Sequence, residues 1–305
     1  MRSQFQCTPA TAVRLFAAQL LDEPVAAQAR TGHWTDNAKQ ALTQHWPEYM
    51  IEGVCLGLFM ISACAFSALL EHPASPVRAS VMNANVRRFL IGLAMGLTAI
   101  LLIYSPMGRR SGAHMNPATT LTFYRLGKVE RWDAVFYMLS QFAGGVLGVV
   151  VSFALIGATL AHRNVNFAIT RPGERGEAAA FISEFLIAFL LMTVILNVSN
   201  SRKYERFTGL AAGTMVMLFI AFEAPLSGMS MNPARSFASD FVGMQWNGIW
   251  IYFVAPVIGM MTAAEVFVRR RGIHSVICAK LNHSGTARCI FRCGYTMVPA
   301  QAPGD

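Results

Sequence analysis

Six long apolar segments dominate the hydrophobic pattern of the chain. They span residues 48–70, 86–104, 132–158, 178–198, 207–224 and 246–268. Each is long enough to cross the hydrocarbon core of a bilayer, which takes about 20 residues of α-helix. The pattern therefore predicts an all-α membrane protein with six transmembrane helices.

Two polar stretches broken by glycine and proline interrupt this pattern at matching places. Residues 111–120 lie between the second and third apolar segments, and residues 227–236 lie between the fifth and sixth. Aligned from their first residues, the two stretches are identical at six of eight positions. Neither is apolar enough to span a membrane, and Pro117 and Pro233 suit the first turn of a helix. We expect two re-entrant half-helices, because irregular backbone at membrane depth is tolerated where it lines a water-filled cavity.

The duplication also predicts how the two halves are oriented. Each half contains three apolar segments, an odd number, so the second half enters the membrane from the opposite side. Inverted three-helix repeats follow from that count. A pair of interrupted segments in matching positions of two such halves is a strong sequence indicator of a transport site.

Composition supports a polytopic membrane protein and argues against a nucleic-acid partner. The 305 residues are 54% hydrophobic and 13% charged, whereas a soluble domain carries roughly 25% charged residues. The basic residues behind the net charge of +9 lie in short loops and terminal regions. The sequence has no basic helix with interleaved aromatic residues, which a nucleic-acid-binding protein would be expected to show. The side that carries both termini holds 18 Lys and Arg residues, against six on the other side. The positive-inside rule then predicts a multi-pass protein of the cell membrane with both termini in the cytoplasm.

The same pattern divides the chain into one apolar domain and two polar ends. We expect an N-terminal cytoplasmic tail over 1–46, a membrane domain over 47–270 and a C-terminal cytoplasmic tail over 271–305. The N-terminal region faintly resembles a cleavable signal, but Arg14 interrupts its apolar core, which favours a tail. Pro47 follows an interfacial tryptophan and suits the first turn of the first span.

The polar stretches also carry a family resemblance. Asn116, Pro117 and Ala118 form one Asn-Pro-Ala box, and Asn232, Pro233 and Ala234 form a second, which Arg235 follows directly. In a duplicated frame of six spans, over roughly residues 47–270, the chain resembles the aquaporin and glycerol-facilitator family, also called major intrinsic proteins. The resemblance implies a bundle of six tilted helices with two half-helices that meet at mid-membrane. It also implies a homotetramer with one pore in each subunit and no cofactor.

The two boxes have a physical rationale in a pore that passes water but not protons. The carboxamides of Asn116 and Asn232 supply N–H donors, and each stands at the N-terminus of a half-helix, where the dipole is positive. Two such ends that face one another repel cations and orient the oxygen of a passing water toward the donors. Arg235 is expected to face a cavity, because a cation at membrane depth costs roughly 3 kcal/mol. The resemblance places it at the outer constriction.

The resemblance assigns three more residues to the constriction by their offset from the second box. They are Met229, Ile220 and, on the second span, Met95, or Gly96 if the loop at 104–110 contains no inserted residue. Water channels of this family usually carry an aromatic residue and a histidine here, and glycerol facilitators usually carry two aromatics. This chain fits neither pattern, and flexible methionines leave the effective radius open. We predict a passive channel for water and small uncharged solutes; a glycerol, urea or metalloid facilitator with little water flux is the alternative.

Two carboxylates lie inside apolar segments, Glu52 in the first and Glu184 in the fourth. Intramembrane carboxylates are functional candidates by default, and a catalytic acid/base pair is one interpretation. The resemblance implies instead that each carboxylate accepts hydrogen bonds from a re-entrant loop and anchors it. The sequence contains no nucleotide-binding or hydrolase motif, so we predict a channel and not an enzyme.

The C-terminal tail contains four residues that could bind zinc in a reducing cytosol. Cys278, His283, Cys289 and Cys293 follow the spacing Cys-x4-His-x5-Cys-x3-Cys, which matches no standard zinc finger. The lysines and arginines among them oppose a cation. We therefore predict a basic tail without a bound metal, in which the cysteines are incidental or lipid-modified.

Overall fold

The computed structural model describes residues 38–283 and 288–295 of the chain. Its longer helices, in chain order, are α1 (Ala38–Glu71), α2 (Ala84–Tyr104), α3 (Pro117–Arg125), α4 (Arg131–Ile156), α5 (Gly176–Ser199), α6 (Thr208–Phe222), α7 (Pro233–Gly243) and α8 (Ile249–Arg271). Short helical turns occupy the connections at Pro76–Ser80, Pro106–Ser111, Ala158–Ala161, Asn166–Ala168, Glu205–Phe207, Ala224–Ser227 and Ile273–Ser275. All of the longer helices except α3 and α7 belong to the six candidate membrane spans of these residues. They match the six predicted apolar segments.

The spans pack in pairs, α1 against α4, α5 against α8 and α2 against α6. Their backbones touch at glycines: a Cβ atom at Gly144 would lie 2.0 Å from the carbonyl oxygen of Gly53. At the α2–α6 crossing, a Cβ at either Gly96 or Gly213 would lie 2.6 Å from the carbonyl oxygen of the other. Small residues at such crossings allow close packing, which is what holds helices together in lipid.

The outward faces of the spans are apolar. Leu155 and Phe222 are each 77% exposed, Leu101 is 71% exposed and Leu147 is 62% exposed. Burying a large apolar side chain away from water gains about 1.5–3 kcal/mol, so exposing this many to water would be unfavourable. These faces therefore suit the hydrocarbon of a membrane. The chain is therefore a multi-pass membrane protein.

The first span is longer than the sequence pattern predicted. Helix α1 includes Ala38, and Pro47 lies inside it, so the prediction that Pro47 occupies the first turn was wrong. Two side chains on either side of Pro47 hold this end of the helix: His45 Nδ1 lies 2.8 Å from Asp133 Oδ1 on α4, and the Tyr49 hydroxyl donates to the same oxygen. The predicted domain boundary at residue 47 therefore falls within α1. Most of the predicted tail over 1–46 lies outside the described residues.

The helices form two inverted repeats, α1–α4 and α5–α8. Helices α3 and α7 are the re-entrant half-helices, and each begins at the proline of an Asn-Pro-Ala box. The half-helices also contact the opposite repeat, since α3 packs against α8 and α7 packs against α4. The two repeats are thereby joined through the elements that carry the boxes.

Candidate functional site

Each Asn-Pro-Ala box starts its half-helix in the same way. Asn116 Oδ1 accepts a hydrogen bond from the backbone N–H of Ala118 at 2.9 Å. Asn232 Oδ1 accepts from the N–H groups of Ala234 at 3.1 Å and Arg235 at 3.2 Å. These are N-cap interactions, and the following proline needs no partner because it has no N–H.

The carboxamide nitrogens of the two boxes cross between the repeats. Asn116 Nδ2 donates to the carbonyl oxygen of Met231 at 2.7 Å, and Asn232 Nδ2 donates to the carbonyl oxygen of Met115, also at 2.7 Å. Within the described part of the chain each nitrogen has this one partner, so its second N–H remains for the cavity. The arrangement brings the positive N-terminal ends of α3 and α7 together.

Glu52 anchors the first re-entrant loop from α1. Its Oε1 accepts from the hydroxyl of Ser111 at 2.7 Å and from the N–H of His114 at 3.1 Å. Its Oε2 accepts from the N–H of Met115 at 2.6 Å and from Gln141 Nε2 at 3.0 Å. Glu52 therefore contacts the re-entrant loop that the resemblance implied it would anchor.

Glu184 makes the equivalent contacts in the second repeat. Its Oε1 accepts from the hydroxyl of Ser227 and the N–H of Ser230, each at 2.7 Å, and its Oε2 accepts from the N–H of Met231 at 2.7 Å. Both glutamates are fully buried. A buried carboxylate that accepts several N–H and O–H bonds satisfies loop donors that have no helix or sheet partner.

The loop backbone explains why such strong anchors are present. Ala113, Met115, Met229 and Met231 all have left-handed backbone, with φ of 57°, 48°, 55° and 55°. For a residue with a side chain this conformation costs roughly 1–2 kcal/mol. The charge-assisted hydrogen bonds to the glutamates offset that strain.

Two buried tyrosines complete the anchoring and were missed in the sequence. The hydroxyl of Tyr137 donates to the carbonyl oxygen of Ser111 at 2.7 Å, and that of Tyr252 donates to the carbonyl oxygen of Ser227 at 2.5 Å. The tyrosines lie 26 and 25 residues after their serine partners. The two spacings differ by one residue, so an ungapped alignment from the serines places Tyr137 opposite Phe253 and does not pair the tyrosines.

A cavity of about 310 Å³ passes between the repeats and the two boxes. We call the side of the bundle that carries residues 276–283 and 288–295 the tail side. Leu281 and His114 line the cavity toward the tail side, and Glu71 and Arg88, at the facing ends of α1 and α2, line it toward the opposite side. The cavity therefore extends across the bundle.

The four predicted constriction residues, Met95, Ile220, Met229 and Arg235, line this cavity together with Asn116 and Asn232. The alternative residue on α2, Gly96, is not in the lining and packs against α6 instead. Arg235 Nη1 is buried and has no hydrogen-bond partner among the described residues. A buried guanidinium nitrogen without a partner can donate to a molecule in the cavity.

Comparison with known proteins agrees with this architecture. The family model for the major intrinsic proteins matches residues 39–267. The chain belongs to this family. Members of this family are channels and not enzymes.

Two curated relatives and one solved structure illustrate the match. Aquaporin NIP1-2 from Arabidopsis thaliana is 35% identical over 181 residues, which cover 58% of this chain and 61% of that protein. Nodulin-26 from Glycine max is 33% identical over 192 residues, covering 61% of this chain and 69% of nodulin-26. The aligned part of the chain thus spans about three-fifths of the length of the first of these relatives. The X-ray structure of the aquaglyceroporin from Plasmodium falciparum superposes with a TM-score of 0.62 at 19% identity, covering 73% of this chain and 96% of that one, and shows the shared fold.

Proposed function

We propose that this protein is a passive channel that conducts water and small uncharged solutes while excluding protons and ions. The observation that carries the proposal is the reciprocal pair Asn116–Met231 and Asn232–Met115 beside one cavity. That pair presents two N–H donors to the cavity at the meeting point of two positive helix ends.

Proton exclusion follows from the direction of these donors. A water molecule beside Asn116 and Asn232 accepts hydrogen bonds from both, so its lone pairs are engaged and it cannot accept a proton from the next water. Each half-helix N-terminus also carries about half a positive charge, which opposes a hydronium ion or a metal cation. Both effects act at the same point of the cavity.

Arg235 is proposed to act as a second filter. Its partnerless Nη1 offers hydrogen bonds to the oxygen of a permeant, and its fixed charge repels cations in a low-dielectric wall. This charge has no counterpart in the first repeat, where Thr119 occupies the aligned position.

The other constriction residues determine the solute range. Met95, Ile220 and Met229 are apolar, and none supplies the histidine or aromatic ring expected in a narrow filter. Thioether side chains adapt to the shape of a passing molecule. This favours passage of uncharged solutes such as glycerol or urea beside water, and it also supports the second candidate, a solute facilitator with little water flux. The name of the Arabidopsis thaliana relative, aquaporin, favours the water channel.

We further propose a homotetramer in the cell membrane with both termini in the cytoplasm. The orientation rests on the excess of basic residues on the tail side. The assembly rests on the family resemblance and on the exposed apolar faces of the spans. Mass measurement of the purified protein in detergent tests the assembly, and a monomeric mass would contradict it.

Osmotic shrinkage of proteoliposomes tests the proposed function. Vesicles that contain the protein should shrink much faster than protein-free vesicles under an impermeant osmolyte, with a low activation energy and no proton leak. Gradients of glycerol and urea, applied to the same vesicles, separate the two candidates. Water flux equal to that of protein-free vesicles would refute the water channel, and fast solute flux without it would establish the facilitator.

A further inference from the structure

The C-terminal segment (residues 276–283 and 288–295) packs onto every loop of the tail side. The N–H of Leu281 donates to the carbonyl oxygen of Gly112 at 3.0 Å, and that of Arg292 donates to the carbonyl oxygen of Lys128, also at 3.0 Å. The N–H of Ile277 donates to Asn200 Oδ1 at 2.6 Å. Much of the segment is buried, so it forms part of the channel body.

This packing brings His283 together with the three cysteines that the sequence analysis interpreted as incidental or lipid-modified. The potential ligand atoms of Cys278, His283, Cys289 and Cys293 all lie within 4.8 Å of one another. Cys278 Sγ lies 3.6 Å from Cys289 Sγ, and Cys293 Sγ lies 2.9 Å from His283 Nε2. Across the described ranges this is the one group of three or more metal-ligating side chains brought together in this way.

We propose that these four residues bind one Zn²⁺ ion in a tetrahedral structural site. Three thiolates and one imidazole are a standard donor set for structural zinc, with Zn–S bonds of about 2.3 Å. Tetrahedral ligation at that bond length separates two sulfurs by about 3.8 Å, close to the Cys278–Cys289 separation. A movement of about 0.6 Å would bring the Cys293–His283 pair from 2.9 Å to the S···N separation of about 3.5 Å that the same geometry requires. Cys278 and Cys289 are not joined by a disulfide, since their sulfurs lie 3.6 Å apart and a bonded pair lies at about 2.05 Å.

Groups around the ligands fit a metal site. The N–H of Lys280 points at Cys278 Sγ from 3.5 Å, which stabilises a thiolate. The His283 ring stacks on Tyr295 at 4.5 Å between centroids, and the Tyr295 hydroxyl donates to the carbonyl oxygen of Ser199 at 2.8 Å. The imidazole is therefore oriented by a residue that is itself tied to the channel.

The basic side chains that argued against a cation are engaged elsewhere. Lys280 Nζ donates to the carbonyl oxygens of Arg109 at 2.8 Å and Arg288 at 2.6 Å. Arg292 Nε donates to the carboxylate of Glu130 at 2.7 Å.

The ion would link residues 276–283 to residues 288–295 and so hold both parts of the C-terminal segment against the cavity. Ala279 accepts a hydrogen bond from His114 Nε2 at 2.9 Å, and the Phe291 ring stacks on the His114 ring at 5.3 Å. Leu281 lines the cavity itself. This consequence rests on the proposed channel, whereas metal binding is independent of what the pore conducts.

Metal analysis of the full-length protein tests the site. The protein, purified in a mild detergent with a thiol reductant, should contain about one zinc ion per chain. Substitution Cys289→Ser together with Cys293→Ser should abolish zinc binding, and His274→Ala, which removes an exposed histidine outside the cluster, should leave the content unchanged. Cobalt added to the metal-free protein should give the visible absorption bands of tetrahedral thiolate coordination. A wild-type protein that binds neither metal, or a double variant that retains full zinc content, would overturn the assignment.

Tryptic cleavage gives a readout that does not depend on the variants folding. Lys280 is only 3% exposed, so the zinc-loaded protein should resist cleavage after this residue. A zinc chelator should increase the cleavage rate there at least tenfold, and added zinc should restore resistance. Equal rates in the two states would show that the ion does not hold the segment.

Discussion

Replacement of Glu184 by glutamine tests whether the re-entrant loops depend on buried carboxylate anchors. The substitution keeps the shape of the side chain and removes one of its two acceptor oxygens. Glu184 accepts from Ser227, Ser230 and Met231, all at 2.7 Å. The amide oxygen of glutamine can keep the serine hydroxyl and the N–H of Ser230, but its NH₂ group then faces the N–H of Met231.

The expected loss follows from these contacts. Leaving the buried N–H of Met231 without an acceptor costs about 1–3 kcal/mol, and the two remaining hydrogen bonds each lose about 1 kcal/mol with the charge. The total is about 3–5 kcal/mol of stability. Glutamine at Glu52 should cost at least as much, because Gln141 donates to that carboxylate as well.

Thermal unfolding of the purified variant in detergent measures the effect. We expect the apparent Tm of Glu184→Gln to fall by roughly 10 °C. The matched control is Glu265→Gln, since Glu265 is 43% exposed and its ion pair with Arg269 is an exposed i,i+4 contact. That control should change stability by under about 0.5 kcal/mol. A Glu184→Gln variant as stable as the control would refute anchoring by a charged carboxylate.

Two further substitutions test the cavity lining. Ile220→Phe adds bulk to the wall and should reduce glycerol flux several-fold in proteoliposomes while reducing water flux less; equal glycerol flux would remove Ile220 from the constriction. Arg235→Val removes the buried charge and should allow a proton or cation leak that a pH-sensitive dye inside the vesicles detects. If the vesicles remain impermeable to protons, proton exclusion must come from Asn116 and Asn232 alone.

The spans, the half-helices and the paired glutamates were predictable because each has a strong physical cause. A span needs an apolar length set by the bilayer, and Glu52 and Glu184 stand out because a carboxylate inside an apolar segment is rare. The boxes were visible because Asn116 and Asn232 occur in duplicated surroundings. In all of these features the signal is local in sequence.

The features that the sequence did not determine depend on contacts between distant residues. The choice between Met95 and Gly96 required the packing of α2 on α6, where Gly96 meets Gly213. The length of α1 depends on Asp133, which lies 84 residues after Tyr49. The cysteine cluster depends on the surface formed by three separate loops, and its spacing alone resembled no known zinc motif. Contacts between residues far apart in the chain leave no periodic pattern in the sequence from which they could be predicted.

Most differences between the aligned stretches of the two repeats fall at residues that line the cavity, whereas the residues that hold the backbone are the same. In the aligned stretches the identical residues supply the serine hydroxyl, the left-handed glycine, the methionine whose carbonyl accepts from asparagine, and the box. Four aligned pairs differ. Ala113 with Met229, His114 with Ser230, and Thr119 with Arg235 all line the cavity, whereas the fourth pair, Thr120 with Ser236, keeps a hydroxyl and lies outside the lining. Anchoring imposes the same demand on both loops, because each must satisfy its donors inside a membrane. Residues that line the cavity do not have to meet this requirement, so they can differ between the two repeats. The first repeat can therefore form a wall on the tail side, while the second repeat forms a filter that contains a cation.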